Sequence, residues 1–159
     1  MKNSIRFRVS GLPMEQFSGL FAMTDAELAA RNARKLVADA KPGFLCRVSL
    51  IDAEPGERVI LVPYTHHRVN GPYNSSGPIF VRENAMPAEL EINELPEVVK
   101  TRLMSVRAYD ADSWMFGSGV AEGQDLEGLI KQFLEDPNVA YLHLHNAKPG
   151  CYSCRVDRA

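Results

Sequence analysis

The segment Tyr141-Leu142-His143-Leu144-His145 sets a phenol and two imidazoles at every second position. In an extended strand such side chains share one face, because successive residues point to opposite sides. Ala140, Leu142 and Leu144 would then meet an apolar core, leaving the histidines to line a cleft, look to solvent or join a polar layer. Imidazoles exchange protons near neutral pH, so His143 and His145 are candidate catalytic acids or bases. If the turn at Lys148-Pro149-Gly150 closes a hairpin, Tyr152 and Cys154 join the same face. His66 is a third candidate, at the start of a segment running to Gly77 that reads as the longest loop. That segment also carries His67, Tyr73, Ser75 and Ser76, whose hydroxyls, with exposed amides, suit an anion. Arg47 and Arg82 add guanidinium groups that match carboxylate or phosphate.

Other patterns are weaker. Cys151-Tyr152-Ser153-Cys154 has the Cys-x-x-Cys spacing of zinc and redox sites, but an extended strand sends the two thiols to opposite faces. Asp110 and Asp112 have the spacing of a cation-binding pair, yet aspartates before a turn more often cap backbone amides. There is no Gly-x-Ser-x-Gly elbow, and neither the phosphate-binding Gly/Lys loop nor the dinucleotide glycine pattern is present. No nucleophile, resident metal or cofactor is therefore assigned. The reading that follows is binding of, or acid-base chemistry on, a small anionic molecule, phosphorylated ones included. A zinc-binding module using Cys151, Cys154 and histidines is one alternative. A protein-interaction domain without chemistry is another.

These residues need a scaffold, and hydrophobic periodicity supplies one. Ile5, Phe7 and Val9 alternate with polar residues as in a strand with one dry face. Phe17, Leu20 and Phe21 fit a short helix after Pro13, and Thr24 with Glu27 forms a capping box for a second that fades near Asn32. A meander follows: strand from Leu36, turn at Lys41-Pro42-Gly43, strand Phe44 to Ile51, turn at Glu54 to Glu57, strand Arg58 to Tyr64. Ile79 to Val81 resumes strand character. Pro96 opens a helix containing Val98, Val99, Arg102 and Leu103, and Val106 to Tyr109 is a strand. Leu126, Leu129, Ile130, Phe133 and Leu134 recur at helical spacing until Pro137, before strands Val139 to Asn146 and Cys151 to Val156. Ala-Lys-Pro-Gly recurs at 40–43 and 147–150, with Cys-Arg-Val following at 46–48 and, after one extra residue, at 154–156, which predicts two hairpin turns at comparable places in one sheet.

The fold class expected is α+β: a mixed, largely antiparallel sheet packed by three or four helices, one layered domain over 1–159. A chain of 159 residues with 45% apolar and 24% charged side chains has the composition of a globular domain. A net charge of −2 offers no cationic field for a nucleic-acid partner. No apolar run is long enough for a membrane helix, and the first residues lack the apolar core of a secretory signal. Three cysteines, an odd count, fit reduced thiols in a cytoplasmic protein.

Glu27 to Arg47 (ELAARNARKLVADAKPGFLCR), Pro72 to Glu83 (PYNSSGPIFVRE) and Tyr141 to Ala159 (YLHLHNAKPGCYSCRVDRA) together resemble a bacterial family, domain of unknown function 1203. The likeness extends over nearly the whole chain. It implies a small, stand-alone bacterial protein and brings no activity, cofactor or catalytic residue with it.

Overall fold

A computed structural model describes residues 4–159. The fold is α+β, with its strands divided between two antiparallel sheets. Two compact units contain them: residues 4–10, 67–75 and 89–159 form the first, and 11–66 with 76–88 the second. Among the described residues, no helix is long and apolar enough to cross a membrane.

The first unit holds the five-stranded sheet, in the order β1-β8-β7-β5-β6. Its strands are β1 (Phe7–Ser10), β5 (Leu103–Tyr109), β6 (Met115–Glu122), β7 (Tyr141–Asn146) and β8 (Tyr152–Arg158). One face is dry: Phe7 and Val9, Met104, Val106 and Ala108, Leu142 and Leu144, and Cys154 and Val156 are all buried. Helix α3 (Leu126–Leu134) has its Leu126, Ile130 and Leu134 buried. Beside them, Phe133 and Leu129 lie against the bare backbone of β6, where a Cβ on Gly117 would come within 3.1 Å of the Phe133 ring and one on Gly119 within 3.3 Å of Leu129. That close approach accounts for the two glycines within β6. Past the helix, Arg158 donates to the carbonyls of Leu134, Asp136 and Val139, tying the helix C-terminus and the turn after it to β8. The Pro96 helix is shorter than the sequence predicts: α2 spans Glu97–Lys100, and Leu103 already opens β5. Ala140 precedes β7 and is exposed rather than packed in the core.

The second unit holds the sheet β2-β3-β4, formed by β2 (Arg34–Val37) with most of β3 (Arg58–His67) and β4 (Ser75–Arg82). The Thr24 capping box forms as predicted and starts α1 (Asp25–Ala29), whose end is marked by Asn32 at φ 58° and by Ala33 N–H donating to the Leu28 carbonyl. The segment around Phe17 winds as two 3-10 turns, Met14–Gln16 and Ser18–Ala22. The expected strand from Phe44 to Ile51 does not form. Its residues make a tight self-closed loop, with Leu45 bridged to Asp52 and Leu50 N–H donating to the Cys46 carbonyl. Leu45 through Leu50 are all buried, so the stretch has no exposed alternate face. Its polar backbone is satisfied by Leu12 and Ala88 and, at one point on β4, by Phe80, whose isolated parallel bridge to Cys46 does not extend into a strand. The Lys41-Pro42-Gly43 turn consequently caps no hairpin, whereas Lys148-Pro149-Gly150 joins β7 to β8, so the two turns do not occupy comparable places.

Across this unit Arg82 of β4 grips Glu57 with both prongs of its guanidinium, at 2.8 and 2.6 Å, and reaches Ser49 Oγ at 3.3 Å. These hydrogen bonds hold the Glu57 carboxyl below its ordinary 4.5. A depressed folded-state value stabilises the fold above that ordinary value, and the contribution disappears as pH falls through the lowered one. Glu57→Gln should therefore cost about 1 kcal/mol at neutral pH, solvent screening included, and flatten the loss of stability below pH 4.5 in urea melts taken across the acid range. In the first unit, a Cβ on Gly123 would lie 2.2 Å from the backbone oxygens of Val99 and Lys100. Gly123→Ala should lower stability by about 3 kcal/mol or prevent folding, read by thermal melting.

Candidate functional site

β7 is the middle strand of its sheet, and the side away from α3 is lined with groups that can hydrogen bond. β5 sets Tyr109 opposite Tyr141, Arg107 opposite His143 and Ser105 opposite His145. On the other side β8 sets Arg155 opposite His143 and Tyr152 opposite His145. Directly opposed residues share a face, so one surface gathers these eight side chains. His143 and His145 are 2% and 1% exposed, so they are neither solvent-facing nor part of the apolar layer.

The 67–75 segment closes over this face. His67, the last residue of β3, lies with its ring centroid 4.1 Å from Tyr109 and 5.0 Å from His143. Tyr73 meets Tyr109 edge-on at 6.2 Å and Trp114 at 5.5 Å. The intervening loop is shorter than the sequence predicts, since β3 runs through His67 and β4 begins at Ser75. Asn74 holds it in shape by accepting the Val69 amide at 3.1 Å. His143 sits in a nest of rings, edge-on to His67, Tyr109 and Tyr152. His145 Nδ1 lies 3.0 Å from the Gly150 carbonyl, in the turn that follows β7.

A hydrogen-bonded chain runs through the cluster. His67 Nδ1 is 2.7 Å from the Tyr73 carbonyl, His67 Nε2 is 2.6 Å from Tyr141 Oη, and Tyr141 donates to Ser113 Oγ at 2.9 Å. A carbonyl only accepts, so Nδ1 carries a hydrogen. The phenol hydrogen then has two acceptors. Directed at Ser113, it requires Nε2 to donate as well, which is the doubly protonated ring. Directed at Nε2, it matches the neutral ring. The arrangement accommodates both forms of His67 with no movement of heavy atoms, and the buried imidazole thereby communicates with the half-buried Ser113.

Charge at the site comes from two arginines. Arg155 lies 4.3 Å above the centroid of the Tyr141 ring and pairs with Asp157, whose hydrogen bonds raise its already high protonation range. Burial raises the Tyr109 phenol above its ordinary range, against the opposing pull of Arg107. Ser113 sits in the turn between β5 and β6 with φ 64°. Asp110 builds that turn: its Oδ1 accepts the amides of Asp112 and Trp114, so this aspartate has the capping role.

The cluster thus includes the expected His143, His145, His67 and Tyr73. Arg47, His66, Ser76 and Arg82 belong to the second unit. There Arg82 is engaged by Glu57, Arg47 is 3% exposed with its guanidinium donating to the Leu45 carbonyl, and Ser76 Oγ is 2.9 Å from Thr65 Oγ1. Ser75 is half-buried at the start of β4. Cys154 requires a correction. A bulge in β8 shifts the register between Leu144 and His145, so Cys154 pairs with Leu144 and shares its apolar face, while Tyr152 remains with His145. The zinc alternative loses its geometry with that shift, since Cys154 and the histidines lie on opposite faces. Tyr109, Ser113, Trp114, Arg107 and Arg155 complete the site without having been singled out. The only local signal for them was Arg107 and Tyr109 alternating with buried residues on one strand.

Residues 43–158 match a family model described as protein of unknown function, DUF1203. The match takes in Pro72 to Glu83 and Tyr141 to Arg158, and starts inside the first of the three resembling segments. No curated protein and no solved structure matches the chain.

The Ser113 backbone offers a sharp test of what its hydroxyl does. A non-glycine residue at positive φ is strained by about 1 kcal/mol, and a hydroxyl hydrogen bond is worth about the same. Ser113→Gly should therefore leave stability nearly unchanged, whereas Ser113→Ala, which retains the strain and loses the bond, should cost about 1 kcal/mol. Paired denaturant melts of the two variants check this.

Proposed function

The chain belongs to the family of domain of unknown function 1203, a membership that specifies no reaction, and from the site's geometry we propose that the first unit binds a small anionic molecule and exchanges a proton with it. The observation carrying this reading is the chain Tyr73 carbonyl, His67, Tyr141, Ser113, which links a 3%-exposed imidazole to a partly exposed hydroxyl. Burial alone requires the imidazole nitrogens to be hydrogen bonded; what favours a functional reading is that the chain ends on a partly exposed hydroxyl, which a ligand can reach. Arg107 and Arg155 lie on the same face, and the guanidinium fork suits carboxylate and phosphate alike; Arg155 is shared with Asp157, so an anion would join or displace that pair. In this reading His67 is the proton donor or acceptor, Tyr141 the relay and Ser113 the end that meets the ligand. His143 stiffens the relay by packing on His67 and Tyr141.

Inorganic phosphate and acetate, each titrated against the native protein in thermal melts, test the binding half, because a ligand that binds only the folded state raises its melting temperature. The expected result is a saturable rise that falls at least tenfold in apparent affinity in Arg155→Met. Tyr141→Phe should fold and retain acetate binding, yet lose the pH dependence of that binding shown by the native protein; acetate is the probe here because phosphate changes its own charge near neutrality. An unchanged pH profile in Tyr141→Phe would remove the relay from the proposal, and no rise with either anion would remove the anion.

A further inference from the structure

The turn that presents Ser113 also presents Trp114, and the two together narrow the class of ligand. Trp114 is the only tryptophan in the chain and is 53% exposed. Its backbone is fixed on both sides: its amide donates to Asp110 Oδ1 at 3.0 Å, and its carbonyl accepts from Asp110 N–H at 2.9 Å. Its indole packs against Tyr73 at an interplanar angle of 78°, and Tyr73 leads on to Tyr109 and so to the buried rings. An indole half out of water, on a backbone that is already ordered, offers apolar area for contact at little entropic cost. Ser113, the residue before it, holds a conformation that glycine adopts more easily in a hairpin of this kind, yet carries the hydroxyl that ends the Tyr141 chain. A hydroxyl bonded to Tyr141 and a half-exposed indole in contact with Tyr73 thus come from adjacent residues of one turn.

Resting on the anion-binding reading above, we infer that the ligand is an anion bearing an aromatic ring, with the ring laid against Trp114 and an acidic oxygen at Ser113. Stacking of a planar ring on an aromatic side chain supplies affinity independent of charge. Chain position thereby separates the two recognition elements: Arg107 and Arg155 on β5 and β8 for the charge, the β5–β6 turn for the ring.

Phenyl phosphate and methyl phosphate carry the same charge and differ in the ring, and Trp114 is itself the reporter. Titrated against the native protein, phenyl phosphate should quench tryptophan fluorescence saturably and bind at least about tenfold more tightly than methyl phosphate, whose affinity is taken from thermal melts. Trp114→Leu, a change at a half-exposed position, should bring phenyl phosphate to the level of methyl phosphate in the same melts and leave methyl phosphate unaffected. Equal affinities for the two esters in the native protein would overturn the aromatic ligand while leaving the anion site standing. Failure of both esters, of inorganic phosphate and of acetate to bind would overturn both readings at once.

Discussion

The 2.6 Å contact between His67 Nε2 and Tyr141 Oη organises the first unit's polar side. It joins the last residue of β3 to the first residue of the middle strand β7, 74 positions later in the chain. Both partners are removed from much of the solvent, so each polar atom needs a protein partner or carries a desolvation penalty. From that requirement the neighbouring arrangement follows. The Tyr73 carbonyl turns inward for Nδ1, the loop that delivers it is closed by Asn74, and the β5–β6 turn is shaped by Asp110 so that Ser113 reaches the phenol. The rings between these bonds, Tyr109 and His143, exclude water and fix the directions of the donors and acceptors.

A strand buried on both sides usually has a continuous apolar sequence. β7 achieves the same burial with aliphatic residues on one face and aromatic and imidazole residues on the other. The two faces serve different purposes. Leucine packing against the α3 side contributes nondirectional stability, whereas the opposite side depends on angles and distances and so specifies one arrangement. The site is consequently held on strands rather than on mobile loops, with the exception of Tyr73 and the β5–β6 turn, and both of those are tied down by side chains that accept backbone amides.

What the sequence made legible was local. Alternation gave β7 its two faces, the capping box gave α1 its start, and the period of Leu126 to Leu134 gave α3. What escaped depended on contacts distant in the chain. One extra residue in β8 moved Cys154 across the sheet, and period-two reasoning has no means of detecting an unpaired residue. The pairing of Arg82 with Glu57, 25 residues earlier, is likewise invisible in either local segment. Leu45 to Leu50 alternated as a strand should, but neighbours on both sides buried all six residues and the chain curled into a turn. Tyr109, Ser113 and Trp114 acquire meaning only when β5 is laid beside β7, a pairing that no short segment announces.

The glycines of β6 carry an implication for how this scaffold can vary. Gly117 and Gly119 leave room that Phe133 and Leu129 of α3 occupy, so the four positions share one fixed volume between helix and strand. A methyl group added on the strand must be given up on the helix, or the helix must withdraw from the sheet. Withdrawal would disturb the dry face of β5 and β7, and the far side of those same two strands carries Tyr109, Tyr141 and His143. Two residues with no side chain, on the opposite surface from any candidate chemistry, therefore set the plane on which the imidazoles and phenols are mounted.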